Sequence, residues 1–90
     1  MEKPDLYVVA RFLDIMYRNG PALKKTNIQM LLGINYGRFI EYLDWLLKRK
    51  LVAERVDEVE GERIVLTPKG IDAYNTVVEW IKEMLDGVKI

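Results

Sequence analysis

From Leu6 to Tyr17 the chain is apolar at most positions, and the polar residues Arg11, Asp14 and Arg18 recur every three or four places. That spacing predicts a helix over Pro4–Tyr17 with one thin wet stripe, covered by protein on more than one side. Pro4 suits a first helical position, where its missing N–H has no partner to lose, and Asp5 adds favourable charge to the first turn. Asn19-Gly20-Pro21 then breaks the helix. Ala22-Leu23-Lys24-Lys25 is a short extended stub. Thr26-Asn27-Ile28-Gln29 has the spacing of a capping box and opens a second helix, Asn27 to Leu32, that buries Ile28, Leu31 and Leu32 and stops at Gly33.

Asn35 caps a third helix reaching Arg49, with Phe39, Ile40, Leu43, Leu46 and Leu47 at helical spacing. Lys48-Arg49-Lys50 closes it where positive charge complements the dipole. Two strand-like runs follow, Leu51–Asp57 and Arg63–Thr67, around the turn segment Glu58–Glu62 with its Gly61. Thr67-Pro68 repeats the cap-then-proline start, and the last helix runs from Pro68 to Asp86. The order is helix, stub, helix, helix, hairpin, helix. This predicts a mainly α fold with a small β-hairpin: a helix-turn-helix, a wing-like hairpin and a long closing helix. Residues 1–67 form the core unit and 68–90 the closing helix of one structural domain.

On the last helix Ile71, Val78 and Leu85 recur every seven residues, as do Tyr74, Ile81 and Val88, and Val77, Trp80 and Met84 widen that apolar surface. A helix of about 19 residues is about 28 Å long, the width of so small a domain. Two broad apolar helices in one short chain predict a homodimer paired coiled-coil fashion through Ile71, Tyr74, Val78, Ile81 and Leu85.

Composition removes whole classes of chemistry. The 90 residues include no Cys, His or Ser, so disulfides, thiolate or imidazole metal sites and the usual Ser or Cys nucleophiles are impossible. The remaining carboxylates, Lys and Tyr lie on solvated faces, so neither an enzyme nor a cofactor or metal is expected. No apolar run nears the roughly 20 residues of a membrane helix, and a cytoplasmic protein is expected. Net charge is zero but unevenly spread. Residues 1–52 carry nine Lys/Arg against five Asp/Glu, and residues 53–90 five against nine. Such polarity points to a basic face offered to a polyanion, with the acidic half turned elsewhere.

The order and spacing of Thr26-Asn27-Ile28, Ile34-Asn35-Tyr36, the run Phe39, Tyr42, Leu43, Leu46, Leu47, Leu51, Val52, and the exit Leu66-Thr67-Pro68-Lys69-Gly70 resemble the winged-helix superfamily. Within it the chain is most similar to the small archaeal winged helix-turn-helix regulators and chromatin-type DNA-binding proteins. The resemblance implies double-stranded DNA as partner, a third helix in the major groove and dimerisation through the C-terminal helix. Two features depart from the pattern. Lys50 stands where such proteins place Gly before the first hairpin strand, and Glu54 to Glu62 holds five acids with the one cation Arg55. Phosphates repel such a hairpin.

Carried onto this sequence, the DNA-binding residues are Asn35, Tyr36 and Arg38 at the tip of the third helix, with Glu41 and Tyr42 further along it. Arg38 can grip a guanine edge or a phosphate, and Gly37 lets the helix approach closely. Tyr36 serves equally as a packing staple and Tyr42 as core. Lys24, Lys25, Asn27 and Gln29, at the start of the second helix, face the phosphate backbone. The rival reading is a protein–protein module that docks a basic partner on the acidic hairpin and binds no DNA.

Overall fold

The structure, a computed structural model, describes residues 3–20 and 22–84. Helix α1 spans Leu6–Arg18. Its cap is Asp5, whose Oδ1 accepts from Tyr7 N at 2.8 Å, so Pro4 lies before the helix and Asp5 works as cap rather than as first-turn charge. At the far end Asn19 Nδ2 donates to Ile15 O at 2.7 Å. The helix is covered on several sides as its composition requires: Val9, Phe12, Leu13, Ile15 and Met16 are all buried. Asp14 is buried too, which the expected wet stripe misses, because Tyr74 Oη reaches across from the last helix and donates to Asp14 Oδ1 at 2.7 Å.

Strand β1, Ala22–Leu23, leads directly into helix α2, Lys25–Leu32. The helix therefore starts earlier than the capping-box pattern predicts. Lys24 occupies the cap position with extended backbone and makes no side-chain cap bond, and Thr26 lies inside the helix. Pairing of Leu23 with Ile64 decides this, since it carries the chain extended up to Lys24 and leaves no room for a separate cap. Ile28 and Leu32 are buried, while Leu31 is exposed.

Helix α3, Tyr36–Lys48, is capped by Asn35 as expected, its Oδ1 accepting from Arg38 N at 2.8 Å. It ends in a Schellman turn, with Lys50 N donating to Leu47 O and Leu51 N to Leu46 O, both at 3.0 Å. Lys50 holds the left-handed position of that turn with φ 59. A glycine takes that conformation without a Cβ clash, so lysine there costs about 1 kcal/mol.

Strands β2, Val52–Asp57, and β3, Gly61–Leu66, form an antiparallel hairpin, and the sheet order is β1-β3-β2. The turn is tighter than Glu58–Glu62, because Gly61 already pairs with Asp57. Asp57 Oδ1 accepts from Val59 N at 2.7 Å and Glu60 N at 2.9 Å. These two bonds, that from Glu60 foremost, hold the Asp57 pKa below its ordinary value.

Helix α4 is described over Pro68–Met84. Its start is tied to the end of α3. Thr67 Oγ1 accepts from Gly70 N at 3.0 Å and lies 2.7 Å from Lys50 O, to which it donates. Lys69 Nζ donates to Arg49 O at 2.8 Å. A Cβ on Gly70 would sit 2.0 Å from Leu51 O, so only glycine lets the two segments meet. One core results, with Phe12 and Phe39 stacked at a centroid distance of 5.7 Å and Ile28, Leu43, Leu46, Val52, Ile64, Tyr74 and Val78 around them.

Candidate nucleic-acid interface

The start of α3 brings together the candidates Asn35, Tyr36 and Arg38, with Gly37 between them. Asn35, Tyr36, Gly37 and Arg38 are all exposed. Asn35 spends its oxygen on the cap. Tyr36 leans on Phe39 at a centroid distance of 6.4 Å while remaining 60% exposed, so it serves as both staple and surface. The Arg38 guanidinium lies 5.8 Å from the Tyr42 ring. Tyr42 itself is core: it is buried, and its Oη accepts from Asp5 N at 2.9 Å.

Along α3, Gly37, Glu41, Asp44 and Lys48 follow at helical spacing and form one exposed outward stripe. Lys48 Nζ pairs with Asp44 Oδ2 at 3.0 Å. Cationic character is thus concentrated at the flanks of the stripe, in Arg38 and Arg49, and Glu41 is an acceptor on it. Arg49 stacks 3.8 Å from the Trp45 ring, a cation–π contact that fixes its plane. Trp45 is half-buried.

The four candidates on α2 separate. Lys24 is exposed at the cap position. Lys25 is half-buried, with Nζ 2.8 Å from Glu62 Oε1 on the hairpin. Gln29 turns away from the helix start, and its amide reaches Ile34 O in the α2–α3 turn at 3.4 Å. Asn27 faces a groove of about 400 Å³ lined with Asn19, Leu23, Met30 and Leu31.

The hairpin is where counting charges along the sequence misleads. Register sorts them. Arg55 pairs directly with Arg63, so two cations share the outer face of the sheet. Glu54 lies opposite buried Ile64 and Glu62 two residues from it, which places both acids on the inner face towards α2. Arg63 Nη1 also donates to the carbonyls of Glu60 and Glu62. The expectation that the acidic hairpin turns away from the basic half is therefore corrected, since Glu62 reaches Lys25 through the inner face. This contact raises the Lys25 pKa above its ordinary value, and it lowers that of Glu62, with Glu54 adding to the second effect.

No protein-family model matches the sequence, and neither does any curated protein. Solved structures do match. The winged-helix DNA-binding protein F93 from STIV superposes with a TM-score of 0.82 at 21% identity, covering 92% of this chain and 96% of that one. The fold is a winged helix. The PcaV transcriptional regulator from Streptomyces coelicolor matches with a TM-score of 0.79 at 19% identity, over 87% of this chain and 58% of that one. MepR, a transcription regulator of the Staphylococcus aureus multidrug efflux pump MepA, matches with a TM-score of 0.76 at 21% identity, over 88% and 59%. This chain thus spans about three-fifths of those two regulators and nearly all of F93.

In this winged helix β2–β3 is the wing, and α4 packs across the back on α1. The seam expected to face a second subunit is largely used inside the chain. Tyr74, Val78 and Ile81 are each less than a tenth exposed, because α1 already covers them. Tyr17 stacks on Tyr74 at 4.5 Å, and Arg18 Nε joins Asp14 Oδ1 at 2.9 Å. What α4 leaves open is Ile71, Trp80 (58% exposed) and Met84 (60%). Trp80 joins Leu6, Thr76, Val77 and Ile81 around an apolar groove of about 260 Å³. Leu85 lies outside the described residues. Among the described residues no helix is long and apolar enough to cross a membrane.

Proposed function

We propose that this winged helix is a dimeric transcription regulator that binds duplex DNA with the tip of α3. The observation that carries the reading is that tip itself: Asn35, Tyr36, Gly37 and Arg38 are all exposed at the start of the helix, and Lys24 is exposed at the start of α2. Arg38 supplies a donor fork for a guanine edge or a phosphate, and Lys24 supplies a backbone contact. The second subunit packs on the apolar residues that α4 and α1 leave open, Ile71, Trp80, Met84 and Leu6, with Tyr74, Val78 and Ile81 bracing them from behind. A two-fold pair then presents two α3 tips to a palindromic site.

Binding of a labelled mixed-sequence duplex at two salt concentrations tests the reading. Affinity falls steeply with salt, and Lys24→Ala makes that slope shallower by about one unit. Arg38→Ala weakens binding by about tenfold or more, as the loss of one bidentate contact does. Absence of binding at micromolar protein in low salt removes the proposal. The dimer has its own measurement: Trp80→Lys yields a folded monomer by light scattering, whereas an unchanged mass rejects this face. One observation favours a second reading. Val59 at the wing tip is 93% exposed between Glu58 and Glu60, a small apolar-acidic knob that suits a basic protein partner.

A further inference from the structure

The β1–β3 register ends with Leu23 opposite Ile64. Because Lys24 remains extended, carrying the pairing onward brings Lys24 beside Arg63 and Lys25 beside Glu62. The second of these juxtapositions closes into an ion pair of 2.8 Å. Glu54 sits on the same inner face of the wing and acts on both members. Lys25 is the first residue of α2, and its ammonium points into a corner holding two carboxylates. It therefore already has the anionic partner that a DNA phosphate would otherwise be. Its neighbour Lys24, one residue away and exposed, is in the opposite situation.

We propose that Glu62, supported by Glu54, is a built-in competitor for the phosphate backbone: it holds Lys25 in the free protein and has to release it when DNA binds. The inference rests on the DNA-binding reading. Two consequences follow from the charges. The wild-type protein binds DNA more weakly than its cations allow, because engagement of Lys25 breaks one contact and leaves Glu62 facing a phosphate. The protein also releases fewer counterions than its exposed and half-buried cations suggest, so its salt dependence is shallower. The wing then acts as an attenuator of affinity at the α2 side, while its outer face carries Arg55 and Arg63.

The experiment compares wild type, Glu62→Gln, Lys25→Ala, the double variant and Glu58→Gln on one duplex across a salt series. Glu58→Gln removes the same charge from the wing tip without touching Lys25. Glu62→Gln is expected to tighten binding roughly three- to tenfold at low salt and to steepen the salt slope by about one unit. In the Lys25→Ala background the same change should recover only the small gain seen with Glu58→Gln. Equal gains from Glu62→Gln and Glu58→Gln, or an undiminished gain without Lys25, overturn the competitor while leaving DNA binding intact. Failure of both wild type and Glu62→Gln to bind any duplex overturns the two proposals together.

Discussion

Two helices of this protein begin with the same local chemistry and end up in opposite surroundings. At the start of α4, Thr67 Oγ1 accepts from Gly70 N; at the start of α3, Asn35 Oδ1 accepts from Arg38 N, with Gly37 in the same first turn. A side chain added at Gly70 would collide with Leu51 O at 2.0 Å, whereas at Gly37 the nearest atom is Asn35 Oδ1 at an ordinary 3.6 Å. The fold demands the first glycine and has no need of the second. A glycine in a first turn leaves room for close approach from outside, which fits the DNA contact proposed for the tip of α3.

Substitutions sharpen this contrast, beginning with the largest effect. Gly70→Ala must push α4 away from Leu51 and lose the Thr67 tie, a cost of about 3 kcal/mol. A midpoint in denaturant equal to wild type would show that the close approach is not required. Next comes Tyr74→Phe on the closed side, which leaves the buried Asp14 carboxylate without its phenolic donor and costs about 1–3 kcal/mol. Burial, then the Asp14 contact, pushes the Tyr74 phenol above its ordinary 10.0. The fold favours the protonated form, so this contribution is complete below pH 10.0 and is lost as pH rises through the folded value. The stability gap between wild type and Tyr74→Phe accordingly narrows at alkaline pH; a constant gap would contradict the assignment. Smallest is Gly37→Ala, which stabilises the fold by about 0.5–1 kcal/mol and weakens DNA binding. Opposite signs in the two measurements are the signature of the open side, and a tighter complex would count against it.

Legibility in the sequence follows the same division. Where a few consecutive residues decide the structure, the pattern reads through: the Asn35 cap and the left-handed end of α2 at Gly33 stand where the spacing places them, and the left-handed turn at Lys50 stands where the family resemblance implies it. The exit motif around Thr67 was legible as a motif, but its reason, a tie to the α3–β2 connection, involves residues 17 positions apart. Distant partners account for three of the departures. Thr26 has the neighbours of a cap, yet pairing of β1 with β3 starts α2 before it. Asp14 has the spacing of a wet stripe, yet Tyr74 covers it. Five acids in the wing read as a uniform negative charge until the register divides inner face from outer and sets Glu62 on Lys25. The α4 heptad positions Tyr74, Val78 and Ile81 are buried, but periodicity alone does not say whether α1 or a second subunit covers such a seam.

The bond between Asp14 and Tyr74 joins residues 60 positions apart, and this has a bearing on synthesis. A ribosome adding about 5–20 residues per second needs roughly 3–12 s to travel that distance. Throughout that interval Asp14 has only its near neighbour Arg18 to pair with, and the phenolic donor arrives when Tyr74 does.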